Sequence, residues 1–136
     1  MKYTSTCIQD TYQIAAKLAA TLRGGEVVLL CGDLGSGKTT FVKGLAHALG
    51  IDQVVTSPTF TLMNTYQGTK LKLYHFDLYR LGAGDAEDMG FDEFFHDPDA
   101  VCCIEWSRDD CYWGKVIRIQ AAYGEEENSR TYSWED

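Results

Sequence analysis

Proline is nearly missing from the chain: Pro58 and Pro98 are the two in 136 residues. There is no Ser/Pro-rich stretch, no internal repeat and no low-complexity tract beyond Glu125-Glu126-Glu127. Nothing therefore marks a linker, and one domain over residues 1–136 is expected. Long apolar runs are missing too. Val27-Val28-Leu29-Leu30-Cys31 is as long as any, far short of the roughly 20 residues of a membrane-spanning helix. No apolar segment with a cleavage site opens the chain, so export is not expected and a cytoplasmic location is. Clusters of Lys and Arg are absent, and the formal net charge is −8. A protein that grips a nucleic-acid backbone directly carries a basic face. Residues 1–84 hold eight basic and five acidic side chains, residues 85–136 four and fifteen; the acidic part reads as a solvated surface. None of the five cysteines forms a C-x-x-C pair, and His47, His75 and His96 are scattered. That pattern excludes a conventional zinc site and suits a reducing compartment. Cys31, Cys102 and Cys103 lie in apolar runs, where Cys acts as a small hydrophobe.

What is present is ordinary for a soluble globular domain: 45% apolar and 24% charged residues. Thr6 is placed to cap a helix running to about Leu22, with Ile14, Leu18 and Leu22 at i, i+4, i+8. Val27–Cys31 has the pattern of a buried strand. Gly32–Gly37 is a loop, and a helix follows from Lys38 to about Leu49, closed by Gly50. Phe60–Tyr66 and Leu71–Phe76 flank Gln67-Gly68-Thr69 as a hairpin. A short helix over Ala86–Phe95, a buried strand over Val101–Ile104, and a closing hairpin of Val116–Tyr123 with Arg130–Trp134 complete the reading. Strands alternate with helices at the front, giving the α/β class: one small domain with a mostly parallel central sheet, flanking helices and added β-hairpins.

Gly32-Asp33-Leu34-Gly35-Ser36-Gly37-Lys38-Thr39 fits G-x-x-x-x-G-K-[ST] at every fixed position, after a buried-type strand and before a helix. In such a loop the glycines let backbone N–H groups turn inward around phosphates. Lys38 brings a point charge to the β- and γ-phosphates, and the Thr39 hydroxyl reaches Mg²⁺. The helix start adds the positive end of its dipole. N-K-x-D and D-x-x-G, the guanine- and γ-phosphate-reading patterns of GTPases, do not occur, which favours ATP. A second carboxylate is needed at a strand end, and both Asp77 and Glu105 follow strand-like runs.

The loop continues as Thr40-Phe41, and Ser57-Pro58-Thr59-Phe60-Thr61-Leu62, His75-Phe76-Asp77-Leu78-Tyr79-Arg80-Leu81 and Ile104-Glu105-Trp106 follow in order. From about Thr6 to Trp106 the chain resembles the TsaE (YjeE) family, small bacterial P-loop ATPases of tRNA threonylcarbamoyladenosine biosynthesis. The resemblance implies slow, Mg²⁺-dependent binding and hydrolysis of ATP to ADP. It also implies TsaB-like and TsaD-like partner proteins, which install threonylcarbamoyl on the adenosine beside the anticodon of ANN-decoding tRNAs. ATP turnover would reset those partners between rounds, with tRNA met only through the complex and no membrane involved.

The resemblance assigns Gly35, Ser36, Gly37, Lys38, Thr39 and Thr40 to the phosphates, and Thr39 and Glu105 to Mg²⁺. Ser57, Pro58 and Thr59 become a switch-like loop, Asp77 orients the attacking water or a metal-bound one, and Arg80 meets a partner or a phosphate. Lys38, Asp77 and Glu105 would form the catalytic set. Trp106 is expected in the core, with a lid on the site as the alternative, and His75 in structural packing. Two departures stand out. Ser107-Arg108 replace the residues that usually follow the Glu-Trp pair, and Arg130 follows Asn128-Ser129 where the family has a Gly-Arg pair. A small-molecule kinase and a non-catalytic, ATP-bound assembly factor are the alternative readings.

Overall fold

The computed structural model describes residues 1–33, 35–58, 62–79, 90–107 and 115–135. They form, in order, β1 (Lys2–Ser5), α1 (Ile8–Ala19), β2 (Val27–Cys31), α2 (Lys38–Ala48), β3 (Met63–Gln67), β4 (Lys72–Asp77), α3 (Asp92–Phe95), β5 (Ala100–Glu105), β6 (Val116–Tyr123) and β7 (Arg130–Ser133). All seven strands join one sheet in the order β1-β7-β6-β2-β5-β4-β3. The four central strands β6, β2, β5 and β4 are parallel. The flanking pairs β1–β7, β7–β6 and β3–β4 are antiparallel. The centre of the sheet is thus parallel, as expected, and antiparallel pairs flank it. The pairs β3–β4 and β6–β7 are hairpins, where a short turn can only bring a strand back antiparallel, and β1 adds to the edge from the far end of the chain.

Burial alternates along the strands with period two and splits the core. Val28 and Leu30 of β2, with Leu73, Val101, Cys103, Ile117 and Ile119, pack against α1 and α2. Val27 and Leu29 face the other way, with Phe76, Cys102 and Ile104, onto the aromatic cluster around α3. There Phe76 meets Phe91, Phe94 and Phe95 at ring separations of 5.3, 6.3 and 5.2 Å. A strand covered on both faces reads as an unbroken apolar run, which is why β2 and β5 were visible in the sequence. The helix expected over Ala86–Phe95 is seen as Asp92–Phe95; its first half lies outside the described residues, as do Leu34, Thr59, Arg80, Arg108 and Cys111.

The start of α1 differs from expectation. Cys7, not Thr6, is the N-cap, and its side chain makes no capping bond. Thr6 donates rather than accepts, to the Asp10 carboxylate, through its backbone N–H at 3.0 Å and its hydroxyl at 2.9 Å. Those two bonds hold the Asp10 carboxyl below its ordinary range. The helix ends at Ala19, and Leu22 is buried beyond it in a turn tied by Thr21 N–H to the Leu18 carbonyl at 2.9 Å. Cys7, Cys31, Cys102 and Cys103 are all free thiols. Burial pushes the Cys102 thiol up to about 12, and Cys103 well above its usual value. Among the described residues, no helix is long and apolar enough to cross a membrane.

Leu45 lies on α2 at 0% exposure, whereas Val54 is 83% exposed. Leu45→Ala is expected to cost about 2–5 kcal/mol of folding stability through the cavity it leaves. Val54→Ala should stay within about 0.5 kcal/mol. Urea titrations of the two variants beside the parent check this.

Candidate functional site

Strand β2 delivers the chain to Gly32, and six residues later α2 begins. The two fixed glycines of that loop are set by close approach. Gly37 has φ +100°, and a Cβ there would run into the Tyr132 hydroxyl, which donates to the Gly37 carbonyl at 3.0 Å. Gly32, at φ +147°, abuts the Ala121 carbonyl of β6. Only a residue without a side chain fits either place. Ser36 N–H closes a turn onto the Asp33 carbonyl at 3.1 Å. The Ser36 side chain is fully buried, and its Oγ has no hydrogen-bond partner among the described residues. The first-turn amides of α2 open onto the loop, as at any helix start.

Lys38 is 5% exposed. Its ammonium donates to the Gly32 carbonyl at 2.7 Å and lies 3.3 Å from the centroid of the Trp106 ring. Burial pulls the Lys38 pKa below its ordinary value, with Glu105 and Asp77 acting in the opposite direction. Trp106 is not a core residue, as the sequence had suggested. It is half-buried at φ +61°, with the Tyr79 ring set edge-on to it at a centroid separation of 5.0 Å. A tryptophan one residue past a strand end lands at the rim of the sheet, and the average burial of Trp gives no sign of that.

The two strand-end acids converge. Asp77 and Glu105 pair in register across the parallel strands β4 and β5. The Thr39 hydroxyl donates to Glu105 Oε1 at 3.1 Å, with Oε2 at 3.4 Å. Glu105 is 3% exposed, and its Oε2 lies 2.6 Å from Nε2 of the buried His75. Asp77 is half-buried and accepts from the Ser57 hydroxyl at 3.3 Å and the Tyr79 backbone N–H at 3.1 Å. Ser57 is thus brought to the site beside buried Pro58, whose carbonyl accepts from Leu62 N–H at 3.0 Å. Thr59 and Arg80, the remaining expected members, fall outside the described residues.

Two features escaped the sequence reading. Arg130 donates through Nε to the Gly35 carbonyl at 3.2 Å and stacks on Tyr123 at 4.4 Å, so it reaches the loop despite its Asn-Ser approach. Beside it lies a cavity of about 310 Å³, with Ser5, Thr6 and Thr11 on one wall and Gly35, Gly37 and Thr40 on the other. β1, with its Lys-Tyr-Thr-Ser sequence, has no apolar alternation to announce it, and without β1 this wall could not be foreseen. A larger cleft of about 520 Å³ lies at the far end of α2, around Leu49 and Leu71, and contains none of the loop residues.

A helix start, a buried cation and an arginine on one side, with a hydroxyl–carboxylate pair on the other, suit a polyphosphate carrying a hard divalent cation. Among the described residues no three His, Cys, Asp or Glu side chains gather in a way that could hold a metal ion. Mg²⁺ does not need such a group, because it takes one or two protein ligands and completes its shell with phosphate and water. Thr39 and Glu105 fit that requirement, and the unpartnered Ser36 hydroxyl fits a loop built to meet acceptor oxygens.

The sequence pattern of the family described as "Threonylcarbamoyl adenosine biosynthesis protein TsaE" matches residues 5–132. The tRNA threonylcarbamoyladenosine biosynthesis protein TsaE of Bacillus subtilis is 46% identical over 107 residues, covering 79% of this chain and 66% of that protein. The protein of the same name from Aquifex aeolicus is 42% identical over 114 residues, 82% and 80% of the two chains. The crystal structure of Bacillus subtilis YdiB superposes with a TM-score of 0.78 at 33% identity, covering 98% of this chain and 83% of that one.

Gly37→Ala places a methyl group at a left-handed backbone position and against Tyr132. The expected loss of stability is about 1–3 kcal/mol, as for other strained backbone sites. Chemical denaturation of G37A measures it, and adding Tyr132→Phe should recover only the part due to the hydroxyl contact.

Proposed function

The chain belongs to the TsaE family of tRNA threonylcarbamoyladenosine biosynthesis proteins, and from that membership we propose that it is the Mg²⁺-dependent ATP-binding and ATP-hydrolysing member of that machinery. The observation that carries the reading is the Thr39–Glu105 hydrogen bond, which joins the helix after the glycine loop to the end of a neighbouring parallel strand. A hydroxyl and a carboxylate in that relation are what a P-loop site uses to hold Mg²⁺ against β- and γ-phosphates.

Each residue then has a task. The loop amides from Gly35 to Thr40 cradle the phosphates, and the Lys38 ammonium offsets the charge on the β/γ groups. When bound, Mg²⁺ would draw charge from the phosphate oxygens; Thr39 and Glu105 would be its protein ligands. Asp77, steered by the Tyr79 amide and the Ser57 hydroxyl, is placed to orient a water. The cavity beside β1 is large enough for a nucleoside, near the lower end of ligand-pocket sizes. Arg130 closes the loop side of that cavity.

No strong general base stands beside the loop in this set, so turnover by the isolated chain should be slow. Partners resembling TsaB and TsaD would supply what is missing, and hydrolysis would reset them between rounds of threonylcarbamoyl transfer to ANN-decoding tRNA. An acidic chain without a basic face suits a component that meets tRNA only through others.

ATP hydrolysis by the purified protein, alone and with its cognate TsaB- and TsaD-like proteins, tests this. Stimulation by the partners is expected, and Lys38→Ala should lower ATP affinity or turnover by about 10²-fold or more. Binding without turnover under every condition would mark an assembly factor instead, and phosphorylation of a small acceptor faster than water would mark a kinase.

A further inference from the structure

His75 is fully buried in the middle of β4, where an aliphatic or aromatic side chain would pack without any polar atom to satisfy. Its strand neighbours Leu73, Tyr74 and Phe76 are all buried hydrophobes. Register explains what it reaches. His75 pairs with Cys103 and Asp77 with Glu105, so His75 and Glu105 are diagonal neighbours on the sheet face that carries α2. Nε2 lies 2.6 Å from Glu105 Oε2. A carboxylate has only acceptor oxygens, so the imidazole donates. Its other nitrogen, Nδ1, is buried with no hydrogen-bond partner among the described residues. Fold stability does not account for a buried imidazole bonded on one side only, because an unmet buried polar atom is costly.

We infer that His75 is a positioning residue that pins one oxygen of Glu105, so that the other oxygen and the Thr39 hydroxyl face the phosphate loop as a preset pair. Glu105 has three side-chain torsions and could otherwise swing its carboxylate away from the loop. With Oε2 held by His75 and Oε1 by Thr39, both oxygens are fixed. Groups that orient a metal ligand in this way commonly change metal affinity or activity 10- to 100-fold when removed. The inference rests on the Mg²⁺–nucleotide reading above and extends it to a residue that touches neither metal nor nucleotide.

The test is a Mg²⁺ titration of binding to a fluorescent ATP analogue, with thermal unfolding followed in parallel. The wild type, His75→Leu, His75→Gln, Glu105→Gln and the double variant H75L/E105Q are compared. H75L should need about 10- to 100-fold more Mg²⁺ for half-maximal effect, with nucleotide affinity in EDTA unchanged. H75Q, which keeps an N–H donor at about the same reach, should recover most of the loss. In the E105Q background, H75L should add little, because the two residues act through one bond. An unchanged Mg²⁺ requirement in a folded H75L overturns the inference, as does a loss of about 10-fold or more in H75Q, and as do additive losses in the double variant. If wild-type binding ignores Mg²⁺ altogether, the metal reading falls and this inference with it.

Discussion

Glu105 is a carboxylate taken almost wholly out of water at the end of a central strand, and most of the site's arrangement follows from satisfying it. Burial of a charged or polar group is tolerable only with partners in place. Here the partners come from two different elements, the first turn of α2 and the middle of β4. That fixes where β5 must run: between β2, whose loop leads into α2, and β4. The same strand order sets Asp77 beside Glu105 and brings Ser57 over it. Ligand sites of parallel sheets lie at the carboxyl ends of the strands, and in this chain one buried acid shows why the parts cannot be rearranged independently.

The cations of the site are held differently. Lys38 and Arg130 are seated on the faces of Trp106 and Tyr123, and their hydrogen bonds go to backbone carbonyls of Gly32, Gly35 and Ser129. A carboxylate partner would hold a cation more firmly but would also cancel its field. An aromatic face holds it while leaving the charge available to an incoming anion. In a chain of net charge −8 this is a way to keep two positive groups effective at one loop.

The loop, α2, the central strands and both hairpins were legible because each has a local signature: a glycine spacing, a 3.6-residue period, an unbroken apolar run, or a turn between alternating segments. The residues of the loop were legible for the same reason, whereas the pair Thr39–Glu105 came only from the family resemblance, because Asp77 and Glu105 both end strand-like runs. What the sequence concealed depends on neighbours far along the chain. β1 is a four-residue edge strand whose only reason to be a strand is β7. Its antiparallel pairing at the sheet edge could not be inferred from the βαβ front. His75 read as packing because its bond to Glu105 arises from strand register, and Trp106 read as core because its position past a strand end is visible only in three dimensions. Thr6 lies one residue before the cap and donates to Asp10, a shift of one position that composition leaves open.

The middle strand β2 pairs with β5 and β6, segments that follow it by some seventy to ninety residues. Such pairings close large loops of chain and form late and slowly compared with local hairpins and helices. The glycine loop and α2 are contiguous with β2, but Glu105, Tyr132 and Arg130 arrive only when those distant pairings are made. The pocket therefore exists only in the finished fold, with no partial version in a half-folded chain. A ligand held there has nothing to grip before folding is complete, so it would prolong the life of the native state by slowing unfolding and leave the rate of folding unchanged.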